Sequence, residues 1–141
     1  MNSLEQNYKM NFDALVLEGG SLKCAFTAGI LDVLMDSNFP EFKYYYGVSS
    51  GSMAMSYLLS KQRSNFIKVT RALVEDPNFI SYKNTFSQQG LMNLEFLQGY
   101  VHDTYPFDEE AADRNSEGKK VCIVATDNVS GKPHYLAPRK G

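Results

Sequence analysis

Ser49 stands at the centre of Gly47-Val48-Ser49-Ser50-Gly51, a Gly-x-Ser-x-Gly pentapeptide between the apolar run Tyr44-Tyr45-Tyr46 and the helix-like Ser52-Met53-Ala54-Met55-Ser56-Tyr57-Leu58-Leu59. A serine hydroxyl can attack an acyl carbonyl when the backbone holds it clear of the fold, beside the positive end of a helix. A strand, a tight turn and a helix in that order achieve this, and the flanking glycines let the chain turn without a Cβ clash. Ser49 is therefore the candidate nucleophile, presented by Gly47, Val48, Ser50 and Gly51. The same residues admit a plainer role: a serine at a strand-to-helix turn caps the helix, and Ser49 or Ser50 suits that position.

A second turn could supply what an acyl-transfer intermediate needs. Ala14-Leu15-Val16-Leu17 reads as a buried strand that runs into Glu18-Gly19-Gly20-Ser21-Leu22-Lys23 and then into an apolar helix from about Leu22 to Asp36. A glycine pair at a strand-to-helix turn exposes backbone N–H groups at a helix N-terminus, which suits a developing oxyanion. Gly19, Gly20, Ser21, Leu22 and Lys23 thus form the candidate oxyanion loop. Two such turns in succession bring donors and nucleophile to one edge of a parallel sheet.

The elements that must position these turns alternate between strand and helix. Strand one is about Asp13 to Leu17, and the helix after it is apolar nearly all round, as a helix wedged between a sheet and another helix is. Gly29 within that helix marks a close approach of backbone. Strand two is about Lys43 to Val48, followed by the elbow and a helix to about Ser60, in which Met53 and Met55 are core fillers. A helix from about Phe66 to Val74, capped by Ser64 or Asn65, ends before Asp76-Pro77-Asn78. A mixed segment with Tyr82 and Phe86 follows, then a helix around Met92 to Tyr100 and a polar stretch from Asp108 to Lys119. Val121 to Ala125 reads as another buried strand, and Thr126 to Tyr135 as a hairpin at its far end.

Composition excludes several classes of function. The 141 residues, 43% hydrophobic and 21% charged, are enough for one domain with a real core. The net charge of −2 and the scatter of basic residues leave no nucleic-acid footprint. Met1 to Phe12 is polar without an apolar signal core, and no run reaches the ~20 apolar residues of a spanning helix. A cytoplasmic location is expected. Cys24 and Cys122 have no metal-ligand spacing and read as small buried residues in a reducing compartment.

Taken together, Leu15-Val16-Leu17-Glu18-Gly19-Gly20-Ser21-Leu22-Lys23, Phe26-Thr27-Ala28-Gly29-Ile30-Leu31-Asp32 behind it, the elbow Gly47 to Gly51, and Ala125-Thr126-Asp127 with Ser130-Gly131-Lys132 resemble the patatin-like phospholipase family, its bacterial members most. The resemblance spans about Asp13 to Tyr135. It implies a three-layer α/β/α fold with a mainly parallel sheet. It further implies a Ser–Asp dyad without histidine that hydrolyses acyl esters of lipids, in the manner of a phospholipase A or esterase. The substrate is then a lipid or acyl ester reached through peripheral membrane contact, with no metal, cofactor or nucleic acid involved.

Two departures qualify that implication. The family loop usually reads Gly-Gly-Gly-x-Arg/Lys-Gly, whereas here Ser21 stands at the third glycine and Cys24 at the last. A side chain at Ser21 narrows the conformations that aim its N–H at an oxyanion, while Lys23 keeps the basic position. The family's dyad aspartate lies in an Asp-Gly pair well downstream, and no Asp-Gly pair occurs in this sequence. The expectation is therefore a partial domain over residues 13–141 after a polar extension at 1–12, truncated at its C-terminus and prone to self-association through an exposed sheet edge. Within the chain, Asp127 reads as a turn-capping aspartate, His102 as a surface residue and His134 as part of a polar hairpin. The alternative functions are a catalytically inactive patatin-like binding domain and, more weakly, a nucleotide binder using Gly19-Gly20, for which Gly-x-Gly-x-x-Gly is not met.

Overall fold

Short runs rich in β-branched and aromatic residues become strands, and the segments after each glycine turn become helices. The computed structural model describes residues 12–37, 39, 41–81 and 91–137. In chain order the elements are β1 (Ala14–Leu17), α1 (Cys24–Asp36), β2 (Tyr44–Val48), α2 (Ser50–Leu59), α3 (Asn65–Glu75), α4 (Leu94–Thr104), α5 (Glu109–Ser116), β3 (Lys120–Thr126) and β4 (Pro133–Leu136). A single 3-10 turn, Ser21–Lys23, leads into α1. The segment with Tyr82 and Phe86 lies outside the described residues, as do residues 1–11 of the N-terminal extension.

The fold is α/β, with helices flanking a mostly parallel sheet, as expected. The strand order is β1-β2-β3-β4. The first three strands run parallel, and β4 folds back antiparallel on β3 as the predicted hairpin. Leu17 pairs with Gly47, and Val48 pairs with Val124. That register sets the carboxyl end of β1 beside that of β2, so the glycine loop and the elbow leave the sheet as neighbours.

Alternation along the strands sorts the side chains into two faces. Leu15, Leu17, Tyr45, Val121 and Ile123 share the face that joins the core around Met55, Val69 and Phe79. Val16, Tyr46 and Cys122 share the other. That face is open enough that Val16 is 68% exposed and Cys122 only half-buried. The expectation of strands buried on both faces, and of a buried Cys122, is corrected accordingly.

The first helix also differs from its sequence reading. It packs chiefly against α2 and α3 through Cys24, Ala28 and Leu31, while Phe26 (78% exposed), Ile30 and Val33 point outward. Gly29 lies on this outward side, where an added Cβ meets nothing within 4 Å. It marks no close backbone contact. Met55 is buried in the core and Met53 packs against it.

Asp32 and Asp36 tie α1 to the entry of α3. Ser64 occupies the N-cap with φ 62 and no capping bond of its own. Its N–H and Oγ instead both donate to Asp32, each at 2.8 Å, and Arg63 grips Asp36 through two bonds of 2.6 and 2.7 Å. A local cap was predicted, but a carboxylate from a distant helix takes the role.

The polar stretch before β3 proves to be helix α5. Asp108 caps it, accepting from the Ala111 N–H at 2.9 Å, with Glu109 and Glu110 in the first turn and Arg114 in the last. Those signals favour a helix, yet the segment buries only Ala112, so hydrophobic periodicity could not find it. Among the described residues no helix is long and apolar enough to cross a membrane.

Candidate functional site

The elbow forms because two glycines leave no room for anything else. A Cβ on Gly47 would stand 2.6 Å from Ser52 Cα, and one on Gly51 would stand 2.4 Å from the Glu18 carbonyl oxygen. No real Cβ tolerates such approaches, so β2, α2 and the end of β1 can meet only where both residues lack side chains. The turn between those glycines places Ser49 at φ 52 and ψ −128, a strained conformation for a residue with a Cβ.

Ser49 sits at the N-cap of α2, but its side chain makes no capping bond. The residue is exposed. Of the two readings that the sequence left for it, capping residue or presented hydroxyl, the first is not met, since its side chain accepts no helix N–H. Its place at the N-terminus of α2, in a first turn without acidic residues, sets the hydroxyl at the positive end of the helix dipole.

The glycine loop lies directly against Ser49. A Cβ on Gly19 would come within 3.0 Å of Ser49 Cβ and 3.2 Å of the Val48 carbonyl oxygen, so the closeness of the loop to Ser49 depends on Gly19. Gly20 is less constrained; a Cβ there would stand 3.3 Å from Lys23 Cε, within a flexible side chain that folds back over the loop. The Gly20 N–H donates to Ser50 Oγ at 3.2 Å. That donor is engaged inside the protein, as are the Lys23 N–H, which donates to the Gly20 carbonyl at 3.1 Å, and the Ser52 N–H in the first turn of α2, which donates to the Ser49 carbonyl at 2.8 Å.

Ser21 adopts φ 51 although it carries a side chain, and its Oγ reaches Met92 Sδ at 3.5 Å, next to the Ile80–Met92 bridge. Leu22 packs against the core and Lys23 is exposed. No acidic residue occupies the 3-10 turn or the first turn of α1. Ser49 thus stands at the N-terminus of α2 with Gly19 against it, while the Lys23 side chain lies against Gly20 and Glu18 stands at the entry of the loop.

Ser50, adjacent to Ser49, is engaged differently. Its Oγ receives the Gly20 N–H and lies 3.0 Å from Cys24 Sγ, and Cys24 Sγ in turn reaches the Glu18 carbonyl oxygen at 3.5 Å. Cys24 is 2% exposed. Sequence reasoning missed this partnership because nothing in a lone cysteine's neighbours announces a contact with a serine 26 positions away.

The other candidates are occupied elsewhere. Asp127 Oδ1 accepts from the N–H groups of Val129 and Ser130 and from Ser130 Oγ, at 3.2, 2.6 and 2.7 Å. Those bonds from Ser130 hold its carboxyl below the usual range. It is the turn-capping aspartate that the sequence suggested. His102 lies in the last turn of α4 with Nδ1 2.9 Å from Asp103, and His134 is exposed on β4 opposite Ala125. A cavity of about 260 Å³ lined by Leu34, Phe39, Phe42, Tyr45, Leu58 and Lys119 sits at the other ends of α1, α2 and β2, away from Ser49.

Comparison with known proteins gives this geometry a context. A family model described as patatin-like phospholipase matches residues 15–135. The chain is 29% identical over 128 residues to YjjU, an uncharacterized protein of Escherichia coli strain K12. That match covers 90% of this chain and 36% of the relative, so the chain spans about a third of the relative's length. No solved structure matches the chain.

Proposed function

Because the chain belongs to the patatin-like phospholipase family, we propose that it serves as a serine hydrolase of lipid acyl esters, of the phospholipase A or esterase type, with Ser49 as nucleophile. The observation that carries this reading is the backbone of Ser49, held at φ 52 and ψ −128 with its hydroxyl uncommitted to capping. Strain of this kind costs about 1–3 kcal/mol and persists where surrounding packing imposes it, here through Gly47, Gly51 and Gly19.

In the proposed reaction Ser49 Oγ attacks the ester carbonyl, the alcohol leaves, and water releases the acyl group from the serine. The oxyanion lies between the Ser50 N–H, in the first turn of α2, and amides of the Gly19–Leu22 loop other than that of Gly20, with Lys23 adding positive charge. The proton acceptor is a carboxylate distinct from Asp127, whose oxygen is taken by its own turn. The lipid approaches over the outward face of α1, where Phe26 stands one turn beyond the loop; a cytoplasmic setting keeps Cys24 a thiol, and the free edge of β1 favours self-association.

The competing reading is a lipid-binding domain without turnover. Fluorophosphonate labelling separates the two. The hydrolase reading expects a single adduct at Ser49 by peptide mass spectrometry, its loss in Ser49→Ala, and unchanged labelling in Asp127→Ala. A protein that binds lipid vesicles yet takes up no probe belongs to the second reading.

A further inference from the structure

Ser50, Cys24, Gly20 and Glu18 close a ring between the elbow and the glycine loop, and its polar groups can be satisfied in only one sense. Cysteine and serine each carry one hydrogen to donate. Cys24 Sγ–H is directed at the Glu18 carbonyl, so the 3.0 Å contact with Ser50 must be made by the serine hydrogen. Ser50 Oγ then has its lone pairs free for the Gly20 N–H. The donors run in one direction: Gly20 N–H to Ser50 Oγ–H to Cys24 Sγ–H to the Glu18 carbonyl, and each bond polarises the next.

From this geometry we infer that Ser50 and Cys24 are positioning residues, whose task is to clasp the glycine loop against the nucleophile. The inference rests on the hydrolase reading for its functional meaning, but the clasp itself is a structural statement. Both ends of the ring, Glu18 and Gly20, bracket Gly19, the residue that touches Ser49. Fixing 18 and 20 therefore fixes the distance from the loop amides to the Ser49 hydroxyl, and catalytic geometry is sensitive to displacements of about 1 Å. The clasp also explains the division of labour in a Ser-Ser pair: Ser50 is held inward, which leaves Ser49 as the hydroxyl that faces out.

The test uses the full chain in five forms: wild type, Cys24→Ala, Cys24→Ser, Ser50→Ala and Ser50→Cys. Two readouts are taken on each, the rate of fluorophosphonate labelling at Ser49 and the hydrogen-exchange rate of the Gly20 amide. The clasp predicts that Cys24→Ala and Ser50→Ala slow labelling on the order of 10-fold and accelerate Gly20 exchange, while amides in the middle of α2 keep their protection. Cys24→Ser and Ser50→Cys, which keep a donor and an acceptor, retain most of both properties. Unchanged labelling and unchanged Gly20 exchange in the two alanine variants overturn the inference, as does faster exchange spread evenly through α2. If the wild type takes up no probe, the hydrolase reading fails by itself, and Gly20 exchange still decides the clasp.

Discussion

Two adjacent serines with the same chemistry end in opposite roles, and backbone geometry alone separates them. Ser49 is lifted out of the helix by its positive φ, whereas Ser50, the first residue of α2, points its oxygen back at Gly20 and Cys24. Asp127 is a comparable case: its position at the end of a parallel strand invites a catalytic role, yet three hydrogen bonds from its own turn absorb it. Its carboxyl is held below the ordinary aspartate value, chiefly by the hydrogen bonds from Ser130. A carboxylate whose folded pKa is depressed contributes stability that is fully present above the unfolded value and is lost as pH falls through the folded one. The Ser130 amide resonance should therefore titrate with a midpoint below that of an unperturbed aspartate and stay flat over that range in Asp127→Asn. A midpoint at or above that value would show that these bonds do not hold the turn.

Two glycines at the scale of elements show how differently one residue type is used. In the elbow, Gly51 allows α2 to ride over the end of β1, with the Glu18 carbonyl oxygen 2.4 Å from where its Cβ would be. In the middle of α1, Gly29 has open space around the same position. Gly51→Ala should destabilise the protein by about 3 kcal/mol or more, since backbone and not a flexible side chain must yield. Gly29→Ala should stabilise it by up to about 1 kcal/mol, the difference in helix propensity. Urea denaturation of both variants checks the pair, and effects of the same sign would refute this account of the two sites.

At the scale of the whole molecule, the sheet has a buried face and an open one. Core residues crowd against Leu15, Leu17, Tyr45, Val121 and Ile123, while Val16 on edge strand β1 and Phe26, Ile30 and Val33 on α1 remain exposed. An edge strand with an apolar side chain and unpaired backbone groups is a ready template for another chain. Val16→Lys should lower self-association without disturbing Ser49, because a charge at an edge opposes strand pairing. Sedimentation velocity at increasing protein concentration measures this; identical concentration dependence in variant and wild type would place the contact elsewhere.

The Ser49 turn, the glycine loop, the order of strands and of every helix but α5, and the hairpin after β3 were legible in the sequence, because each depends on local rules. Glycines mark the sharp turns, apolar runs of four or five residues mark β1 and β3, and a turn-to-helix boundary marks the sites where N–H groups are left free. Other features were decided by tertiary structure, where the partner lies far along the chain. The need for Gly51 comes from Glu18, the seat of α3 comes from Asp32 and Asp36, and the use of Ser50 comes from Cys24 and Gly20. The exposure of Cys122 and of one side of α1 belongs to the same group, since an apolar pattern states which residues can be buried and only packing decides which are. Ser49 bridges the two: its place was written in a pentapeptide, and its positive φ and missing cap bond came from the packing of Gly47, Gly51 and Gly19 around it.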